Sequence, residues 1–194
     1  MYYSAQQIVE IAKEAEEYTH IPSGYWWAAI RSNPQDRLVD EFCCVFNLMK
    51  GEDIITTTTC TTVPGLQALK GGFRRYNNKG AGVVCANIWM YQSFKYGKHA
   101  SRMRALRMVK PVWSTRDGDF DNVAEEYGKR TFKNIYANVH GATFNRWSKL
   151  VRKYIKGWSY ACIVLNNNEE YNKIIDLTES AGCVSGIIID EFSV

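Results

Sequence analysis

Residues 38–63 read LVDEFCCVFNLMKGEDIITTTTCTTV, and this stretch decides the fold class. Apolar and β-branched residues are frequent at positions 38–49 and threonines dominate positions 54–63, a composition typical of strands. Between them, Lys50-Gly51-Glu52-Asp53 supplies the polar residues and the glycine of a tight turn. The stretch therefore predicts a β-hairpin, followed by a break at Pro64-Gly65.

Upstream of the hairpin, the sequence predicts one helix and one turn. Ser4 followed by Gln7 forms a capping-box pattern, and apolar residues then recur at helical spacing, so residues 4 to about 18 predict an amphipathic helix. Residues 21–30 contain Tyr25-Trp26-Trp27 and are interpreted as a turn with aromatic anchors. We expect a helical segment over 1–37 and a catalytic core over 38–194, within a single domain 1–194.

Downstream of the hairpin, strands and short helices alternate. Residues 101–107 predict a short helix, and a longer helix follows Asn166, which is a plausible N-cap. Strands are predicted at 83–91, 109–115, 134–139, 160–165 and 184–192. The pattern favours an α+β fold on a mixed or antiparallel sheet.

Composition limits the classes of function. The chain has 194 residues, 46% of them hydrophobic, which is enough for the core of one domain. It carries 24 Lys+Arg against 20 Asp+Glu, so charge alone does not indicate a nucleic-acid partner. No run reaches the roughly 18 apolar residues of a membrane span, so no membrane insertion is expected. The N-terminus lacks the pattern of a signal peptide, and synthesis in a cytoplasm is expected.

Two short stretches carry the residues most suited to chemistry. Cys162 lies between a polar turn and an apolar run in WSYACIVL, and His140 ends a strand-like run in NVHGAT. A thiol nucleophile needs a base, and a neighbouring imidazole is expected to lower the thiol pKa from its usual value of about 8.5. Backbone N–H groups at Ala161 and Cys162 are candidate oxyanion donors. The residues alone favour a small core cysteine and a turn histidine over a catalytic pair.

The order of these parts resembles the L,D-transpeptidase catalytic domain. The matching elements are His140-Gly141, a loop, and Ser159-Tyr160-Ala161-Cys162 followed by an apolar strand. The resemblance covers roughly residues 38–194. It is closer to small phage-encoded members, with five ordered counterparts: Gly97-Lys98-His99, Lys110-Pro111-Val112, Arg116-Asp117-Gly118-Asp119, residues 135–140 and Trp158 to Cys162.

The resemblance implies a fold and a set of roles. The fold is an L,D-transpeptidase-like β-rich sandwich or sheet with an N-terminal helix and a helix after the cysteine. Cys162 is the implied nucleophile and His140 the base, with Ser159 or a nearby carbonyl orienting the imidazole. The implied pocket residues are Ala161, Tyr160, Gly141 and His99. No metal or other cofactor is expected.

The implied activity is cleavage or transfer at an amide of peptidoglycan stem peptides through an acyl-enzyme. A phage endolysin-type hydrolase is favoured, made in the host cytoplasm and active at the bacterial cell wall after release. The sequence departs from the family at Ala161, where Gly is usual, and at Val164, where Arg is common. These departures keep a catalytically degenerate structural or wall-binding phage protein as the alternative.

Three further patterns are weighed as sites. An acid-free basic run, with cations from Lys95 to Lys110, suits carboxylate-bearing ligands or a solvated helix face, and nucleic acid less well. Residues 117–128 begin like a calcium loop, but Asn122 and Gly128 stand where that loop needs Gly and Glu, so a polar turn is favoured. The three histidines do not pair at ligand spacing, which disfavours a zinc amidase.

Overall fold

Strands make up most of the regular structure, and the fold class is α+β as expected. The computed structural model describes residues 3–32, 40–72, 74, 78–124 and 128–191. Within them lie the helices α1 (Ala5–Glu14), α2 (Leu66–Leu69) and α3 (Asn168–Thr178). The strands are β1 (Tyr25–Arg31), β2 (Cys44–Lys50), β3 (Asp53–Thr61), β4 (Ala81–Val84), β5 (Met90–His99), β6 (Met103–Met108), β7 (Val112–Asp117), β8 (Thr131–Lys133), β9 (Val139–Gly141), β10 (Ile163–Leu165) and β11 (Cys183–Asp190).

Eight strands close into a barrel in the order β1-β11-β5-β6-β9-β10-β3-β2, and β4, β7 and β8 form a separate sheet. The barrel is mixed: β1 pairs with β11 and β9 with β10 in parallel, whereas the other barrel pairs are antiparallel. A mixed sheet was one of the two arrangements expected. Local sequence patterns do not indicate closure, because closure depends on the pairing of β1 with β11, which are far apart in the chain.

The β-hairpin predicted within residues 38–63 is confirmed. β2 and β3 pair from Cys44 opposite Cys60 to Lys50 opposite Asp53, and Gly51 adopts a positive φ of 57° in the connecting turn. That left-handed conformation suits glycine because it has no side chain to clash with the backbone. The expected first strand began at positions 38 and 39, which lie outside the described residues, as does position 192 of the expected last strand.

Several sequence predictions of secondary structure are wrong. The strand expected at 134–139 is irregular up to Asn138, and the strand expected at 83–91 covers only the end of β4 and the start of β5, with an irregular stretch between them. The turn expected at 21–30 contains strand β1, whose residues from Trp26 to Arg31 are all buried. A strand paired on both sides reads as a continuous apolar run without a polar alternation, so it was mistaken for an anchored turn. The helix expected at 101–107 is strand β6, in which Met103 and Ala105 are buried while Arg104 is only partly covered. The predicted helical segment 1–37 thus includes a barrel strand.

The two longer helices are confirmed. Ser4 caps α1, since its Oγ accepts from Gln7 N at 3.2 Å and Gln7 Oε1 accepts from Ser4 N at 2.9 Å. The helix ends at Glu14, earlier than expected. α3 is capped by Asn167, one residue after the predicted Asn166. No helix within the described ranges is long and apolar enough to cross a membrane.

The core has two large parts, which the barrel wall separates, and a small third cluster contains Ala142, Cys162 and Val164. One apolar cluster includes Trp27, Phe46, Phe94 and Leu106, and α3 contributes Ile174 to it. The other lies on the opposite face of β1 and β11, where α1 packs; its members include Ile8, Val9, Ala12, Trp26, Trp89 and Ile187. Alternate residues of β1 therefore serve different clusters, as the two faces of a strand require.

Candidate active site

Strand pairing brings His140 and Cys162 to the same place. β9 and β10 are parallel, with Ile163 opposite Val139 and Val164 opposite His140, so the residue before β10 lies next to the histidine strand. His99 ends β5 and reaches the same point through the β5–β6 and β6–β9 pairs. Nitrogen or sulfur donor atoms of His99, His140 and Cys162 all lie within 4.8 Å of one another.

The His140 ring is held in one orientation. Its Nδ1 lies 2.7 Å from the carbonyl oxygen of Gly141. A carbonyl only accepts, so Nδ1 carries the proton and Nε2 carries the lone pair. Nε2 is buried and has no hydrogen-bond partner within the described part of the chain. Burial, and then the neighbouring His99, lower the pKa of His140 to about 3, so the ring is neutral near pH 7.

His99 stacks on His140, with ring centroids 4.1 Å apart and planes at 21°. Its Nδ1 lies 3.0 Å from Asn138 Nδ2. The backbone N–H of Met108 donates to Asn138 Oδ1 at 2.9 Å, which fixes the amide so that its NH₂ group faces His99. His99 Nδ1 is therefore the acceptor, and its proton lies on Nε2. Burial lowers the pKa of His99.

Cys162 is a buried thiol with 7% of its surface exposed. Its Sγ is 3.6 Å from the carbonyl oxygen of Tyr136, which it faces as a donor. Burial raises the pKa of Cys162 to about 11, against opposing backbone hydrogen bonds from Asn138 and Ala161. The expected lowering of the thiol pKa by the imidazole is wrong for the resting site, because His140 is itself neutral.

Ser159 supports the turn rather than the imidazole. It is fully buried, and its Oγ donates to the carbonyl oxygen of Cys162 at 2.8 Å. The carbonyl of Ser159 accepts from Gly65 N at 3.0 Å, which ties the turn to the end of the hairpin. The imidazole of His140 is oriented instead by the backbone carbonyl of Gly141, the next residue in the chain.

The separate small sheet holds the turn from its other side. Gly82 N donates to the carbonyl of Tyr160 at 3.1 Å, and the Tyr160 hydroxyl donates to the Gly80 carbonyl at 3.0 Å. The Ala161 methyl group is buried against Gly82, where an added Cβ would come within 2.9 Å of it. The Ala161 methyl group is therefore accommodated by a glycine across the contact.

Position 141 requires glycine because the ring of Tyr171, on α3, packs directly against it. A Cβ at this position would lie 2.7 Å from Cδ1 of the Tyr171 ring. Tyr171 is buried, and its hydroxyl donates to the backbone carbonyl of Arg104. The glycine after His140 thus leaves the space that lets α3 approach β9.

Aromatic residues that the sequence did not single out as site residues lie near the thiol, where Trp158 packs against the small cluster that contains Cys162. Tyr136 is 69% and Phe144 is 51% exposed, and Phe144 packs on Trp158 with ring centroids 5.3 Å apart. Arg152 lies over the Trp158 ring and donates to the Ala142 carbonyl. Asn138, which fixes His99, was also missed. The sequence offered little indication that these residues belong to the site, because they are isolated residues in irregular segments without a periodic pattern.

The basic run belongs to the β5–β6 hairpin, so the alternative of a helix face is wrong. Its best-buried cation, Arg104, is paired with Asp176 and Glu179 of the α3 region. Arg102 lies over the Phe144 ring at 5.6 Å, so this cation faces the aromatic rim of the site.

A polar turn was expected at residues 117–128. Within it, residues 125–127 lie outside the described residues.

Comparison with known proteins identifies no relative. No family model matches the sequence, no curated protein matches it, and no solved structure matches the fold.

Proposed function

We propose that the protein is a cysteine-dependent amide hydrolase or transferase that acts on peptidoglycan stem peptides, as L,D-transpeptidases do. The observation that carries the proposal is the His140 geometry. Nδ1 donates to the Gly141 carbonyl, and Nε2 is buried without a partner among the described residues. A ring nitrogen lies within 4.8 Å of Cys162 Sγ. A base oriented by an acceptor, beside a thiol, is the arrangement that nucleophilic catalysis needs.

The neutral resting pair sets the order of proton transfer. With the pKa of Cys162 raised to about 11 and that of His140 lowered to about 3, the proton stays on sulfur until substrate arrives. As the sulfur attacks the amide carbon, His140 Nε2 takes the thiol proton. The imidazolium then protonates the leaving amine, and a thioester remains on Cys162. Water releases an acid, and an amine acceptor gives a new amide.

The surroundings suit a substrate with carboxylates and an extended backbone. Stem peptides carry such groups, and the cations Arg102 and Arg152 lie at the aromatic rim. The resemblance to small phage-encoded members supports an endolysin-type hydrolase that acts at the host cell wall. The resemblance rests on motif order, and the site geometry is independent support for the cysteine chemistry alone.

Zymography on purified murein tests the proposal. Wild-type protein is expected to clear the gel, and Cys162→Ala is expected to abolish clearing because it removes the nucleophile. Cys183→Ser, at an exposed cysteine, is the matched control and keeps the activity. Circular dichroism establishes that each variant is folded. Absence of clearing by folded wild-type protein contradicts lysis, and clearing by folded Cys162→Ala contradicts the mechanism.

A wall-binding or structural phage protein is the second candidate. Cys162 is only 7% exposed and its pKa is raised, which also describes an inert buried thiol. This candidate predicts that wild-type protein and Cys162→Ala sediment equally with murein sacculi and that neither releases fragments. Release of fragments by the wild type alone excludes it.

A further inference from the structure

We propose that His99, His140 and Cys162 form a binding site for a zinc-class divalent cation. Their donor atoms lie within 4.8 Å of one another. Two imidazoles and one thiolate bind zinc more readily than they bind hard cations such as Mg²⁺ or Ca²⁺. Three protein ligands leave the fourth coordination position of zinc for water. The ligands come from β5, β9 and the turn before β10, so their spacing along the chain gave no indication of the site.

His140 already has the form of a metal ligand. Histidines that bind metals donate their second ring N–H to a carbonyl or carboxylate, which fixes the tautomer and the ring orientation. His140 Nδ1 makes this bond to Gly141 at 2.7 Å. Nε2 then carries a lone pair, and within the described residues it has no partner although it is fully buried. A cation gives this atom the partner that its burial calls for.

Cys162 supplies the soft ligand. Its thiol faces the Tyr136 carbonyl at 3.6 Å, a long and weak contact that a metal bond replaces at small cost. Coordination uses the thiolate, so one proton leaves Cys162 for solvent for each cation bound. No electron is transferred.

Asn138 controls the third ligand. It donates to His99 Nδ1, so Nε2 is the nitrogen that we assign to the cation, and in the resting tautomer that atom carries the proton. Binding requires the proton to move to Nδ1 and the Asn138 amide to turn its oxygen toward the ring, away from the Met108 N–H at 2.9 Å. Asn138 therefore weakens the site, and a carboxylate at this position, which accepts from both groups, strengthens it.

The cation site can be tested independently of the proposed amide chemistry, because cation binding is measured without a substrate. It has one consequence for the proposed activity. A cation on Cys162 occupies the sulfur, so zinc inhibits a thiol nucleophile rather than assisting it.

Titration with Co²⁺ tests the site. One equivalent is expected to bind with the near-ultraviolet charge-transfer absorption of a cobalt–thiolate bond, and Zn²⁺ is expected to displace it. Cys162→Ser removes the absorption, and His140→Ala weakens binding 10-fold or more. Cys183→Ser, at an exposed cysteine, is the control and leaves binding unchanged. Asn138→Asp is expected to tighten binding 10-fold or more.

Alkylation of the wild-type protein provides a test that needs no variant. At an alkaline pH at which iodoacetamide labels Cys162 in the metal-free protein, equimolar Zn²⁺ is expected to protect this thiol, as read by mass spectrometry, while the exposed Cys183 stays reactive. Absence of both protection and cobalt absorption in folded wild-type protein overturns the site. Cobalt absorption that persists in Cys162→Ser overturns the assignment of the ligands, and unchanged affinity in Asn138→Asp overturns the role of Asn138.

Discussion

At the residue scale, the site is defined by three polar groups kept neutral in an apolar setting. Burial shifts the pKa values of Cys162 and His140 in opposite directions: it raises that of Cys162 and lowers that of His140. Both shifts favour the uncharged pair, since a buried charge loses its hydration. A site of this kind protects its thiol from chance oxidation, because the reactive form of cysteine is the thiolate.

The rate of Cys162 alkylation is expected to rise with pH until about pH 11. Burial raises the pKa of this thiol to about 11, so it stays protonated where an ordinary thiol has ionised. Iodoacetamide labelling at a series of pH values, with mass spectrometry to locate the label, measures the profile. The exposed Cys183 serves as an internal reference for the reagent. A plateau of Cys162 labelling below about pH 8 contradicts the neutral pair.

Acid is expected to destabilise the protein partly through His140. The pKa of His140 is lowered from its usual 6.5 to about 3, so between these values the unfolded chain binds a proton that the folded chain does not. Stability therefore falls as pH drops below 6.5, by at most about 1.4 kcal/mol per pH unit from this group. Urea unfolding from pH 7 to pH 4 measures it.

The matched variant for this test is His140→Asn, whose side-chain amide retains a donor for the Gly141 carbonyl. It is expected to show a shallower loss of stability with acid than the wild type, because it has no group to titrate in this range. Parallel curves for the two proteins are the outcome that contradicts the prediction.

At the scale of elements, the turn from Ser159 to Cys162 is held by two contacts from outside the barrel strand. Ser159 is tied to Gly65, and Tyr160 is tied to β4 through Gly82. The Ala161 methyl group fills the contact with Gly82. The position of Cys162 thus depends on packing between the small sheet and the barrel.

Ala161→Gly is expected to lower the free energy of unfolding by about 1–2 kcal/mol, through loss of a buried methyl group and gain of backbone freedom. Urea denaturation measures the change. Ala100→Gly is the matched control: Ala100 is exposed and has a φ of 48°, which glycine adopts more readily than alanine. An equal loss of stability in both variants contradicts the role of the Ala161 packing.

The sequence predicted the elements with strong local signals. The β2–β3 hairpin has a glycine turn between β-rich runs, and α1 has a capping box, so both were found. Strand β1 was missed because its apolar run lacks alternation. His140 and Cys162 were paired by motif order, whereas the Asn138–His99 contact depends on three-dimensional packing and left no pattern in the chain.

At the scale of the whole molecule, one buried arginine joins the barrel to the small sheet. Arg31, at the end of β1, is 1% exposed. It donates to Thr62 Oγ1 at 2.9 Å and to the Val84 carbonyl at 2.7 Å, and it lies 3.8 Å from Asp190. One side chain thus links the end of β3, β4 and β11.

Arg31→Met is expected to lower the free energy of unfolding by roughly 3 kcal/mol, because it leaves buried acceptors without donors. Urea denaturation measures the loss. Arg130→Met is the matched control, since Arg130 forms an exposed ion pair with Glu16 and such pairs contribute at most about 1 kcal/mol. A loss no larger than that of the control contradicts the linking role.

The parallel pairing of β1 with β11 has a consequence for biosynthesis. β1 leaves the ribosome before the other strands of the barrel, yet its neighbour β11 begins only at Cys183. Until β11 emerges, one edge of β1 lacks the partner that closes the sheet, and the apolar side chains of Trp26 and Trp27 lack part of their cover. Pairing between strands so far apart in the chain slows folding, so the unpaired edge of β1 is open to aggregation until synthesis reaches β11.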